Sequence, residues 1–158
     1  ALLPVAIKLF GMKLTMAIGI FAMVLRYAFC AYALDVDGLY WGAIVVHGII
    51  FGFFFVTAQM YMAKKAPKEL QAQAQGLFFC LAFGVAQIVG AYFTNWLIDA
   101  NTSTFTAESI KQTANAVTEV VAQASVIDWK SVFLIETSIS GVLLIVFLLF
   151  FKNDVKEG

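Results

Sequence analysis

Four stretches of this chain, residues 14–34, 39–63, 71–98 and 131–151, are near-continuous apolar runs. Each approaches or exceeds the roughly 20 residues with which a helix crosses a bilayer. Runs such as FGFFFV (51–56) and VLLIVFLLFF (142–151) do not alternate in polarity, which excludes the strands of a membrane barrel. Only helices and closed barrels satisfy their backbone inside lipid, so the sequence predicts an all-α, polytopic transmembrane protein. Composition agrees: 62% of residues are hydrophobic and 13% charged, against roughly 45–50% and 25% in soluble domains. Disorder is excluded by the same figures. Residues 1–7 (ALLPVAI) read as the tail of an apolar helix whose beginning is absent, and Lys8 follows that run rather than preceding it as in a signal peptide. The chain therefore reads as a fragment of a longer membrane protein.

Charge fixes the expected orientation, because short cytoplasmic loops collect Lys and Arg. Lys8 and Lys13 lie in a connector at 8–13, Lys64, Lys65 and Lys68 in a second at 64–70, and Lys152 and Lys156 in a tail at 152–158. The intervening segments carry Asp35, Asp37, Asp99, Glu108, Glu119 and Asp128 but only Lys111 and Lys130 among Lys and Arg. Seven Lys against two, alternating by loop, place the C-terminus in the cytoplasm. Trp41, Trp96 and Trp129 fall near the outer ends of the spans, where indole favours the headgroup layer. The outer segment 99–130 is the one long polar stretch, and Ile110, Ala114, Val117 and Val121 recur with helical spacing after a possible N-cap at Thr106. A surface helix is expected there.

Several classes of chemistry find no support. There is one His, no nucleophile spaced with a base, no glycine-rich phosphate loop and no metal-ligand cluster, so neither an enzyme nor a metal or cofactor site is expected. Ten basic and ten acidic residues cancel without a basic run, which argues against nucleic acid as a partner. Cys30 and Cys80 sit in apolar runs and are expected to be packing thiols.

The informative side chains are polar groups at membrane depth, where each must find a partner or line an aqueous cavity. In the second stretch His47, Gly48, Phe51, Gly52 and Phe55 share one stripe by i, i+3 and i, i+4 spacing, and Gln59 extends it inward. Such a stripe can face a solute, since imidazole exchanges a proton near neutral pH and phenyl rings offer flat apolar faces. It can also be a GxxxG packing seam, with His47 bonded to the neighbouring helix, and on spacing alone the seam is the commoner arrangement. Arg26 lies eight residues before Leu34 and Glu136 five after Ser131, about 12 Å and 8 Å deep at helical rise. Mutual pairing is the most economical arrangement for two charges at similar depth. A proton relay through Glu136 or an anion clamp at Arg26 is the alternative. Gln87 suits an interhelical bond or a solute contact.

The motifs LRYAF (25–29), HGIIFGFFFV (47–56), KKAP (64–67), AQGL (74–77) and DWK (128–130) together resemble the nucleoside:proton symporter family of the major facilitator superfamily. The resemblance covers nearly the whole chain apart from residues 100–127. It implies the C-terminal part of a twelve-helix transporter, from the end of helix eight through helix twelve, in the bacterial inner membrane with both termini cytoplasmic. It further implies proton-coupled uptake of nucleosides or related polar solutes by alternating access, in partnership with an N-terminal half. The second stretch would line the cavity, which makes His47, Phe51, Phe55 and Gln59, with Gln87, the expected solute contacts and leaves Arg26 and Glu136 as a structural pair. One departure stands out. Family members often carry Asp where this chain has Gly52, so the titrating group falls to His47 or to the N-terminal half. A same-fold transporter of another metabolite such as a sugar, or a non-transporting sensor or scaffold, is the competing reading.

Overall fold

The computed structural model describes residues 2–33, 35–36, 38–106 and 123–152. Helix α1 runs over Leu2–Tyr32, α2 over Gly38–Lys65, α3 over Lys68–Ala100 and α4 over Trp129–Phe150, and all four are long and apolar enough to cross a membrane. Two antiparallel strands, β1 (Thr102–Thr106) and β2 (Gln123–Ile127), pair from Thr102↔Ile127 to Thr106↔Gln123 between α3 and α4. The outer loop expected over 99–130 thus carries a two-stranded ladder, and Thr106, expected as a helix N-cap, closes a strand. The surface helix expected across Ile110 to Val121 lies outside the described residues.

The ends of these elements are set by local chemistry. The connector expected at 8–13 is helical except at Gly11, whose φ of 75° and ψ of 169° kink α1. A positive φ is open to glycine at little cost. The carbonyl released at the kink is recovered by the Thr15 hydroxyl, which donates to Gly11 O at 2.7 Å. Lys13 Nζ donates to Leu148 O at 2.8 Å, so a Lys from the first helix satisfies a terminal carbonyl of the last. At the other end Asp128 caps α4, accepting from the Ser131 amide at 3.1 Å and its hydroxyl at 2.6 Å. Those bonds from Ser131 hold the Asp128 carboxyl below the usual carboxylate range, so the cap remains charged at neutral pH.

Helix α1 is the centre of the bundle and packs against α2 on one side and α4 on the other. The buried residues are Met12, Thr15, Met16, Ala17, Ile20 and Ala22 among those of α1, Ala43, Ile50 and Thr57 of α2, and Val132 and Ser140 of α4. The α1–α2 contact is closest at Gly19, where an added Cβ would lie 2.7 Å from both the Cβ and the backbone N of Phe54. A second close approach joins Gly42 to the Phe29 ring at 3.2 Å. By contrast α3 packs on the Lys-rich half of α2 and touches α4 near its far end, burying only Leu97 among its described residues. Its middle is left open.

The two ends of the bundle differ in chemistry. Lys8, Lys13, Lys64, Lys65, Lys68 and Lys152 gather at one end, and Trp41, Trp96, Trp129 and the β1–β2 ladder at the other. At the Trp end Lys130 Nζ bonds Asp35 Oδ2 at 2.9 Å and lies 5.0 Å from the Tyr32 ring centroid, tying α4 to the end of α1.

Candidate functional site

Within the described helices, two segments widen from α-helical to π-helical winding. Phe51–Val56 in α2 and Cys80–Val85 in α3 are each a six-residue π-helical turn. Such wide turns use i→i+5 bonds, are uncommon, and recur at functional sites. They lie side by side here: the Phe55 and Phe83 rings meet with centroids 5.2 Å apart and planes 33° apart. Phe51 continues the row at 5.9 Å from Phe55, and Phe79 stacks on Phe83 at 5.5 Å. The four rings form one aromatic surface that crosses from α2 to α3.

The stripe expected on α2 belongs to this surface. His47 is exposed one turn from Phe51 and makes no polar contact among the described residues. Phe51 is 52% exposed, while Phe55 and Gln59 are half-buried. Apart from the helix's own nearby backbone, nothing among the described residues lies within 4 Å of a Cβ built on Gly48 or Gly52. Among the described residues the GxxxG seam is therefore not formed: the glycines that admit a neighbouring helix are Gly19 of α1, against Phe54, and Gly42 of α2, against Phe29. Gln87, on α3, is exposed one turn beyond Phe83 and makes no polar contact among the described residues. No interhelical bond holds it there.

Arg26 of α1 and Glu136 of α4 are half-buried and close enough to feel each other's charge. The direct ion pair expected between them does not form within 4.0 Å; the Arg26 guanidinium lies 5.6 Å from the Tyr27 ring centroid instead. Counting residues along two helices gives their relative depth but not the direction of either side chain, and the cation–π contact answers part of the guanidinium's need for a partner. Cys30 is half-buried, whereas Cys80 is exposed in the wide turn of α3 rather than packed. Among the described residues no three His, Cys, Asp or Glu side chains converge as a metal site would require.

A cavity of about 590 Å³ opens among the four helices, lined by Met16, Ile20, Met23, Phe54, Tyr61 and Phe147 among others. Its lining is almost wholly apolar, so it offers a hydroxyl-bearing solute no compensation for lost water. The polar groups of the α2–α3 face do. Sequence reasoning named the α2 half of that face and Gln87 but missed Phe79 and Phe83. Their signal was i, i+4 spacing with Gln87 in an otherwise uniformly apolar helix.

Comparison with known proteins decides the family. The family model described as "Nucleoside H+ symporter" matches residues 1–156. The chain belongs to that family. Nucleoside H+ symporter relatives include the Escherichia coli nucleoside permease NupG, 27% identical across 95% of this chain and 32% of its own. The E. coli xanthosine permease is 26% identical across 96% of this chain and 32% of its own. The putative nucleoside transporter YegT of the same organism is 33% identical across 56% of this chain and 22% of its own. The solved structure of nucleoside transporter NupG superposes with a TM-score of 0.73 at 25% identity, covering 96% of this chain and 33% of that one. The chain thus spans about a third or less of the length of these symporter relatives. The polytopic helical fold expected from the resemblance is the one observed.

Proposed function

We propose that this chain is part of a proton-coupled nucleoside transporter of the relatives' length, and that it supplies one wall of the solute path. The family match over residues 1–156 carries this reading. The face that joins α2 to α3 supports it: His47, Phe51, Phe55, Gln59 and Gln87 combine flat apolar rings with amides and one titratable ring. A nucleoside presents the complementary set, a planar base and a hydroxylated sugar. His47 takes the coupling role, being the titratable ring exposed on this face. Alternating access needs a second half to close over the solute, so the activity belongs to the full-length transporter. The Lys-rich end and the C-terminus face the cytoplasm, the Trp end faces outward, and the host membrane is the bacterial inner membrane.

Uptake of labelled uridine by cells that lack their own nucleoside transporters tests the reading. Cells producing the full-length transporter accumulate uridine, a protonophore abolishes accumulation, and unlabelled adenosine competes while ribose does not. Cells producing this chain alone accumulate none. Uptake no higher than in vector controls, or ribose competing as well as adenosine, would overturn the assignment. Saturable uptake by this chain alone would remove the requirement for a second half.

A further inference from the structure

We propose that Phe83 of α3, stacked on Phe79 and tilted against Phe55, is a specificity-determining residue whose exposed ring surface meets the solute's base. This inference rests on the nucleoside reading above and extends the solute site from α2 to a second helix. Phe83 is 40% exposed while its ring is in contact with Phe55 and Phe79 at 5.2 and 5.5 Å. A ring supported on two sides by other rings and open elsewhere is held in place for a further stacking partner, with little side-chain freedom left to lose. Glycines on both helices keep the face low: apart from the helices' own nearby backbone, nothing among the described residues lies within 4 Å of a Cβ built on Gly48, Gly52 or Gly84.

Two independent observations separate this face from one that merely meets lipid. The first is Gln87, one turn from Phe83. It lies thirteen residues from Ala100 and nineteen from Lys68, so about 20 Å and 28 Å from the ends of α3 at helical rise. An exposed amide at that depth must line an aqueous cavity or meet a polar partner. The second is the pair of wide turns, Phe51–Val56 and Cys80–Val85, which bring Phe55 and Phe83 together. Since α2 and α3 run antiparallel, His47, Phe51 and Gln87 lie on one side of the Phe55–Phe83 contact and Gln59 and Phe79 on the other. A base stacked at Phe83 would leave its sugar within the amide-bearing part of the face. Every base has a π-face, so this mode selects ring-bearing solutes over free sugars without reading one base.

The test is uridine uptake by the full-length transporter with Phe83→Leu, Phe83→Tyr and, as a control distant from the face, Phe93→Leu. Losing one base–aromatic stack raises the half-saturation concentration on the order of tenfold. The expected result is that rise in Phe83→Leu with little change in maximal rate and a smaller preference for uridine over ribose in competition. Phe83→Tyr, which keeps a flat ring, and Phe93→Leu retain the parent value. Equal half-saturation in Phe83→Leu and parent would overturn the inference, as would equal losses in Leu and Tyr, which would mark Phe83 as packing. If Phe83→Leu fails to reach the membrane, Phe83→Trp supplies a second reading. Its fluorescence changes on adding uridine whereas that of the parent, with Trp41, Trp96 and Trp129, does not; an unchanged signal again overturns the inference. Absence of uridine uptake by the parent itself would instead sink the nucleoside reading.

Discussion

His47→Gln in the full-length transporter abolishes uphill accumulation of uridine and leaves downhill exchange near the parent rate. The side chain is exposed on the α2 face, makes no polar contact among the described residues, and is the one His in the sequence. Glutamine replaces the donor and acceptor of a neutral imidazole but cannot carry a proton between the two sides. Substrate movement down its gradient needs no titrating group, so it survives. The measurement is uridine counterflow alongside proton-driven uptake in proteoliposomes. Accumulation at the parent rate in His47→Gln would return coupling to another part of the transporter.

The largest effect on the fold is expected at Gly19. An alanine Cβ there would lie 2.7 Å from the Phe54 backbone N and 3.0 Å from its Cα, atoms that cannot yield unless α2 shifts away from α1. Overpacking of this kind costs about 1–3 kcal/mol. A glycine with open space behaves in the opposite sense: apart from the helix's own nearby backbone, nothing among the described residues lies within 4 Å of a Cβ built on Gly90 of α3, and alanine there gains up to about 1 kcal/mol of helix propensity. Thermal unfolding of the full-length transporter in detergent should therefore fall with Gly19→Ala and hold or rise with Gly90→Ala. Equal midpoints for the two variants would mean that α1 and α2 are not clamped at Gly19.

Much of the fold was legible because lipid leaves few alternatives. An unbroken apolar run the length of a bilayer has to be helical, and Lys and Trp sort themselves between the two ends. The winding within the helices was not legible. FGFFFV and CLAFGV are apolar on every side, so an extra residue in a turn alters no visible period, and the two wide turns that bring Phe55 to Phe83 left no mark in the sequence. Close packing was sought at Gly48 and Gly52 because their four-residue spacing is conspicuous. It is made instead at Gly19, against a backbone that sequence spacing cannot place. Arg26 and Glu136 were matched in depth but not in side-chain direction, while Lys130 and Asp35, read only as loop charges, form the ion pair at 2.9 Å. The strands TSTFT and QASVI carry β-forming Thr, Phe, Val and Ile. The helical spacing of Ile110 to Val121 between them drew the reading of that segment.

The central claim is that the His47-to-Gln59 stripe of α2 faces the solute path, and accessibility of one position on it tests this most directly. Apart from the helix's own nearby backbone, nothing among the described residues lies within 4 Å of a Cβ built on Gly48, so Gly48→Cys introduces a thiol without crowding. The background carries Cys30→Ser and Cys80→Ser, and Ile145→Cys on α4, a residue 59% exposed, reports a lipid-facing position. With a membrane-impermeant maleimide on the full-length transporter, Gly48→Cys should label faster than Ile145→Cys, and saturating uridine should slow only the former. Labelling at Gly48→Cys no faster than at Ile145→Cys, or a rate that uridine leaves unchanged, would contradict the account.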